Sequence, residues 1–112
     1  MLLAPYRPGQ PLSAEEWIPV TDGSHHDTWP CWSSEGNLLY FTSDRDGPAC
    51  IWAQRFDART GRPAGEPFAV MHLHGAQRMR SNMHHLAAAR DKLVFSLEER
   101  TGNIWMLRAG GQ

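Results

Sequence analysis

Asn37-Leu38-Leu39-Tyr40-Phe41-Thr42-Ser43, followed by the polar Asp44-Arg45-Asp46-Gly47 and then Ile51-Trp52, decides how this chain is read, because the same phrase returns later. Its second form is Asp91-Lys92-Leu93-Val94-Phe95-Ser96, then Glu98-Glu99-Arg100-Thr101-Gly102, then Ile104-Trp105. An apolar strand, a charged turn ending in Gly and a second strand carrying Ile-Trp thus recur after about 54 residues, the length of one four-stranded sheet unit. A unit of this kind cannot cover both of its faces alone, so its neighbours become the first question about function.

Working outward from the first copy, Trp29 to Ser33 reads as a short strand closed by the turn Ser34-Glu35-Gly36-Asn37. In Leu38 to Ser43 both alternating faces are apolar, the pattern of a strand covered on two sides. Cys50 to Phe56 is the third strand, Asp57 to Pro63 a turn, and Pro67 to His72 the fourth strand. The second unit offers strands at His84 to Ala89, Asp91 to Leu97 and Asn103 to Leu107, with no fourth. Leu86 and its alanines also suit a helical turn over His84 to Arg90, but the repeat demands a strand there.

Upstream, Met1 to Ala14 is rich in Pro and Gly and reads as an extended arm. A lone outer strand is expected near 17–20, where Pro19 confines it to an edge. The expected organisation is therefore an arm over 1–14, two blade-like units within 15–108 (about 29–72 and 83–107), and a tail over 109–112.

The run from Trp29 to Gly47, followed by Ile51-Trp52, resembles the TolB-type, WD-repeat-like β-propeller motif. That motif reads Pro-x-Trp-Ser-Pro-Asp-Gly, an apolar strand ending in Ser-Asp-Arg-Asp-Gly, then Ile-Trp or Ile-Tyr. Ser34 and Glu35 replace the usual Pro-Asp, and the second unit matches only from Lys92 to Leu107. The resemblance implies an all-β fold of two four-stranded antiparallel meanders of propeller type. It also implies a non-catalytic platform for binding and assembly, like those that occur beside kinase, transcription-regulator or peptidase domains.

Two arrangements would supply the missing neighbours. The chain is the C-terminal part of a larger propeller, or several copies close a ring in which the strand near 17–20 completes a neighbour's last blade. Three copies would make six blades and four would make eight.

With 11 Lys and Arg against 12 Asp and Glu, the net charge of -1 provides no field for a phosphate backbone, and nucleic acid is not expected as a partner. No apolar run reaches the ~18 to 20 residues of a membrane span, and Met1 to Gln10 lacks the form of a signal peptide. A protein partner or self-association is expected; no small-molecule ligand is indicated.

Cys31 and Cys50 fall on strands with one strand between them, roughly 9 to 10 Å apart, so both are expected reduced and buried. Six histidines form the pairs His25-His26, His72-His74 and His84-His85. Imidazole binds zinc, copper or nickel, and His72-x-His74 on a strand shares one face, whereas adjacent residues point to opposite faces. Solvated histidines are the expectation, and no metal, cofactor or catalytic residue is assigned.

Other constellations are equally bland. Asp44, Asp46 and Gly47 hint at a calcium loop without its downstream Glu, and Asp22, Asp27, Glu35 and Asp44 form no evident carboxylate pair. Neither a Gly-x-Ser-x-Gly elbow nor a Walker loop is present. Trp17, Trp29, Trp32, Trp52 and Trp105 could line a carbohydrate or peptide surface, but the equivalent repeat positions of Trp52 and Trp105 favour packing between repeats, and Arg78, Arg80 and Arg90 suit solvated loops. The loops to mutate first are Ser24 to Thr28 and Gly75 to Asn82. An enzyme-associated propeller portion and a His-rich metal-binding protein are the competing readings.

Overall fold

The structure, a computed structural model, describes residues 1–47, 50–73, 85–97 and 102–110. It is all-β and antiparallel, with a 3-10 turn at Ala14–Glu16. Strands β3 (Thr28–Trp32), β4 (Leu38–Ser43), β5 (Cys50–Asp57) and β6 (Arg62–Met71) form one sheet in their sequence order. This is the four-stranded meander expected of the first repeat.

Tight turns set its register. Between β3 and β4, Gly36 takes φ +73° and donates its N–H to the Ser33 carbonyl, while Ser33 Oγ accepts from the Leu38 N–H. Between β5 and β6, Asp57 Oδ1 accepts from the N–H groups of Arg59 and Thr60, and Gly61 at φ +65° closes the turn. Both glycines occupy left-handed positions that a Cβ would strain.

The central strands are the covered ones. Phe41, Cys50, Ile51 and Ala53 are fully buried, with Leu39 and Phe56 nearly so, in accord with the apolar character of both faces of β4. Buried polar groups are tied to backbone: Gln54, 1% exposed, directs Nε2 to the carbonyls of Arg55, Ala64 and Gly65. These bonds span the stretch where β5 and β6 slip register between Ala53 and Arg55.

The N-terminal segment folds back on this sheet. Strand β1 (Leu2–Leu3) pairs with β2 (Ile18–Pro19), so the strand near 17–20, expected to stand alone, has a partner in the N-terminal arm. The α-amino group donates to Thr21 Oγ1 at 2.9 Å, and Met1 and Leu3 pack on the cluster of Val20, Leu39 and Phe56. A Ser13 and Glu16 capping box starts the 3-10 turn, and Arg7 holds Glu16 at 2.7 Å.

The second repeat departs from expectation. Leu86 to Ala88 is a strand, β7, and pairs with β8 (Leu93–Phe95), so no helical turn forms there. That hairpin lies along β3, with the His85 ring 5.2 Å from Trp29. Among the described residues no second four-stranded meander is formed, and 102–110 carry no regular structure. A third strand needs both a ladder partner and a covered face. Asn103 to Leu107 are exposed and show neither.

Candidate functional site

Antiparallel pairing gathers the chemistry-bearing groups at one end of the meander. There β3 begins, β4 ends, β5 begins and β6 ends, so Asp27, Arg45, Asp46, Cys50 and His72 meet although they span 46 positions of sequence. Gly47, at φ +121°, donates its N–H to the Asp44 carbonyl and makes the turn that carries Asp44 to Asp46.

The innermost element is an ion pair. Arg45 Nη2 lies 2.9 Å from Asp27 Oδ1, with the Arg side chain 14% exposed and the Asp side chain 2%. Arg45 Nε also donates to Ser43 Oγ at 2.9 Å, and its guanidinium sits over the rings of Phe41 and Trp52 at 5.3 and 5.0 Å. Burial pushes the Asp27 carboxyl up. The surrounding Ser43, Arg45 and Thr21 groups outweigh burial and hold it below the usual carboxylate range. Thr28 and Thr42 join hydroxyls at 2.8 Å beside it, which fixes the start of β3 against the end of β4.

Around this pair lie more exposed groups. Asp44 Oδ1 accepts from the His26 N–H at 2.9 Å and lies 3.8 Å from His25 Nδ1, so the loop Ser24 to Thr28 is tied to the β4–β5 turn. Asp22 Oδ1 accepts from both the N–H and the hydroxyl of Ser24, and these bonds lower its pKa. Asp22, Arg45 and Gln54 also border a cleft of about 330 Å³ that runs along Gly65 to Pro67.

The third element was not anticipated as a unit. Asp46, Cys50 and His72 bring one carboxylate oxygen, the thiol sulfur and one ring nitrogen within 4.8 Å of one another. His72 Nδ1 pairs with Asp46 Oδ2 at 2.9 Å, the Leu73 N–H points at Cys50 Sγ at 3.3 Å, and the His72 ring meets Trp52 edge to face. Burial pushes the Cys50 thiol up, and although the Leu73 N–H opposes this, the Asp46 carboxylate adds to the rise. Cys50 is accordingly a poor free nucleophile despite its His and Asp neighbours.

Neither cysteine is in a disulfide, as expected; Cys50 is buried as expected, whereas Cys31 is only partly buried. His72 joins a side-chain cluster, whereas its sequence companion His74 lies outside the described residues, as do His84, Arg78, Arg80 and the loop Gly75 to Asn82. Of the Asp22, Asp27, Glu35 and Asp44 carboxylates, Asp27 is paired with Arg45, Asp44 accepts from the His26 N–H, and Asp22 accepts from Ser24. The sequence contained one clue to the third cluster: Asp46 and Cys50 bracket a single turn. Position 72 enters only through the β5–β6 register, which places Met71 opposite Ile51 and so His72 near Cys50.

A scan against family models finds no match to this chain, and searches of curated proteins and of solved structures find none. Among the described residues, no helix is long and apolar enough to cross a membrane.

Proposed function

We propose that this chain is a non-catalytic repeat module of the β-propeller type, which binds protein through its sheet edges and unpaired strands and assembles with further copies of itself. One observation carries the reading. Ile104, Trp105, Met106 and Leu107 are 88–96% exposed, although Ile104-Trp105 repeats Ile51-Trp52, and Ile51 is fully buried at 0%. Four consecutive large apolar residues in water are a binding surface or an aggregation hazard. Covering them as Ile51 is covered would contribute about 1.5 to 3 kcal/mol per aliphatic side chain.

The dimensions agree with an incomplete unit. The radius of gyration is 19.3 Å, whereas a compact domain of this length has one of about 13 Å. Among the described residues no strand pairs beyond β6, so that edge of the meander is open to further pairing, while the other edge, β3, is flanked by the β7–β8 hairpin. In the assembled form the segment Asn103 to Leu107 takes its place as a strand against β8 or a neighbouring copy, which gives the second unit its third strand.

Light scattering coupled to size exclusion tests this across protein concentrations. The expected result is a discrete trimer or tetramer for the native chain and a monomer for Trp105→Asp. A native chain that is monomeric at every concentration would sink the proposal, as would Trp105→Asp assembling unchanged.

A further inference from the structure

We propose that Asp46, Cys50 and His72 form a binding site for a single divalent transition-metal ion of the zinc type. The proposal is independent of the assembly reading, since all three residues belong to the first meander. Three features of the site support it.

The donor set is right. A thiolate, an imidazole and a carboxylate are the three ligand types that zinc accepts, and sulfur with nitrogen selects zinc or copper over calcium and magnesium. The spacing is also right. Ligand atoms around a tetrahedral zinc stand about 3.3 to 3.6 Å apart, given Zn–S near 2.3 Å and Zn–N and Zn–O near 2.0 to 2.2 Å. Here all three atoms already lie within 4.8 Å, and the Asp46 and His72 atoms are 2.9 Å apart. Coordination requires the Asp46 and His72 atoms to part by a few tenths of an ångström and to draw within reach of Cys50 Sγ, movements open to the two rim side chains.

The third feature is the combination of rigidity and access. Cys50 opens β5 in the ladder, with its backbone paired to Ser43, and is fully buried, so its sulfur forms a fixed floor. Asp46 and His72, at 29% and 54% side-chain exposure, form a rim that an ion can enter from solvent. An ion seated there replaces the Asp46–His72 contact and takes the place of the thiol proton, which leaves to solvent. The uptake also removes the mutual repulsion between a Cys50 thiolate and the Asp46 carboxylate. Three protein ligands leave a fourth position for water or an external donor.

The full-length chain, reduced and stripped with chelator, is titrated with Co²⁺ as a spectroscopic probe and then with Zn²⁺. One Co²⁺ per chain and an intense near-ultraviolet thiolate-to-metal band are expected, with Zn²⁺ displacing both. Cys50→Ala abolishes the band, Cys31→Ala leaves it, and His72→Gln or Asp46→Asn weakens binding at least ~10-fold, no less than losses of supporting contacts alone. Because Cys50 is a core residue, the two rim variants decide the matter if Cys50→Ala does not fold. Absence of the band in the native chain would overturn the proposal. So would a band that persists without Cys50 or disappears without Cys31, metal uptake with no thiolate band, or unchanged affinity in both rim variants.

Discussion

Arg45→Ala is expected to be among the most damaging single changes in the meander, by about 3 to 5 kcal/mol, because it strands the Asp27 carboxylate in the interior. The Asp27 side chain is 2% exposed and its charged partner stands 2.9 Å away. Two charges about 4 Å apart attract by roughly 4 kcal/mol at the effective dielectric of a partly buried site, which agrees with that range. Stability for a chain of this length is about 6 to 17 kcal/mol, so the loss is a large fraction of the whole. Arg45→Met keeps an apolar side chain of similar length but loses the guanidinium that sits over Trp52 and Phe41, and should lose nearly as much, since the charge is what Asp27 requires.

Urea unfolding followed by tryptophan fluorescence measures this at one fixed protein concentration, because assembly would otherwise shift the midpoint. A double-mutant cycle isolates the pair: Asp27→Ala with Arg45→Ala should be less damaging than the sum of the singles by about 1 to 3 kcal/mol. A cost below about 1 kcal/mol for Arg45→Ala, or additivity within about 0.5 kcal/mol, would refute the account of a buried, mutually dependent pair.

Phe41→Ala, at a side chain with no exposure, should cost about 3 to 5 kcal/mol in the same assay. Gln54→Leu should cost about 1 to 3 kcal/mol, because the Ala64 and Gly65 carbonyls lose their donor where β5 and β6 change register; hydrogen exchange should quicken there first. The Asp27 carboxyl is held below its ordinary value, so its contribution is complete above the unfolded pKa near ~4 and is lost as pH falls through the lower folded value. Urea midpoints taken downward from pH 6 should therefore fall below about pH 4, and Asp27→Asn should flatten that fall; an identical fall in the variant would disprove the assignment. Gly36→Ala should cost about 1 kcal/mol, measured by urea, from a left-handed φ of +73° that alanine resists.

The first repeat was legible in the chain because its signals are local. Apolar alternation in Leu38 to Ser43 and turn chemistry at Gly36, Gly47 and Gly61 specify strands and hairpins without reference to distant residues, and the structure has the four-stranded meander they describe. The separation of Cys31 from Cys50 by β4 follows from the same strand count. What the repeat pattern did not determine is whether its second copy extends its β7–β8 pair into a four-stranded sheet. Asn103 to Leu107 has the strand's residues, but a strand exists only where a partner accepts its hydrogen bonds and a neighbour covers its face. Tertiary structure alone decided two further matters. The arm near Met1 is tied down through Thr21 and the Val20 cluster, because a two-residue strand carries no periodic signal. His72 reaches Asp46 and Cys50 because register slips in the β5–β6 ladder are set by backbone geometry, and no spacing of residue types encodes them.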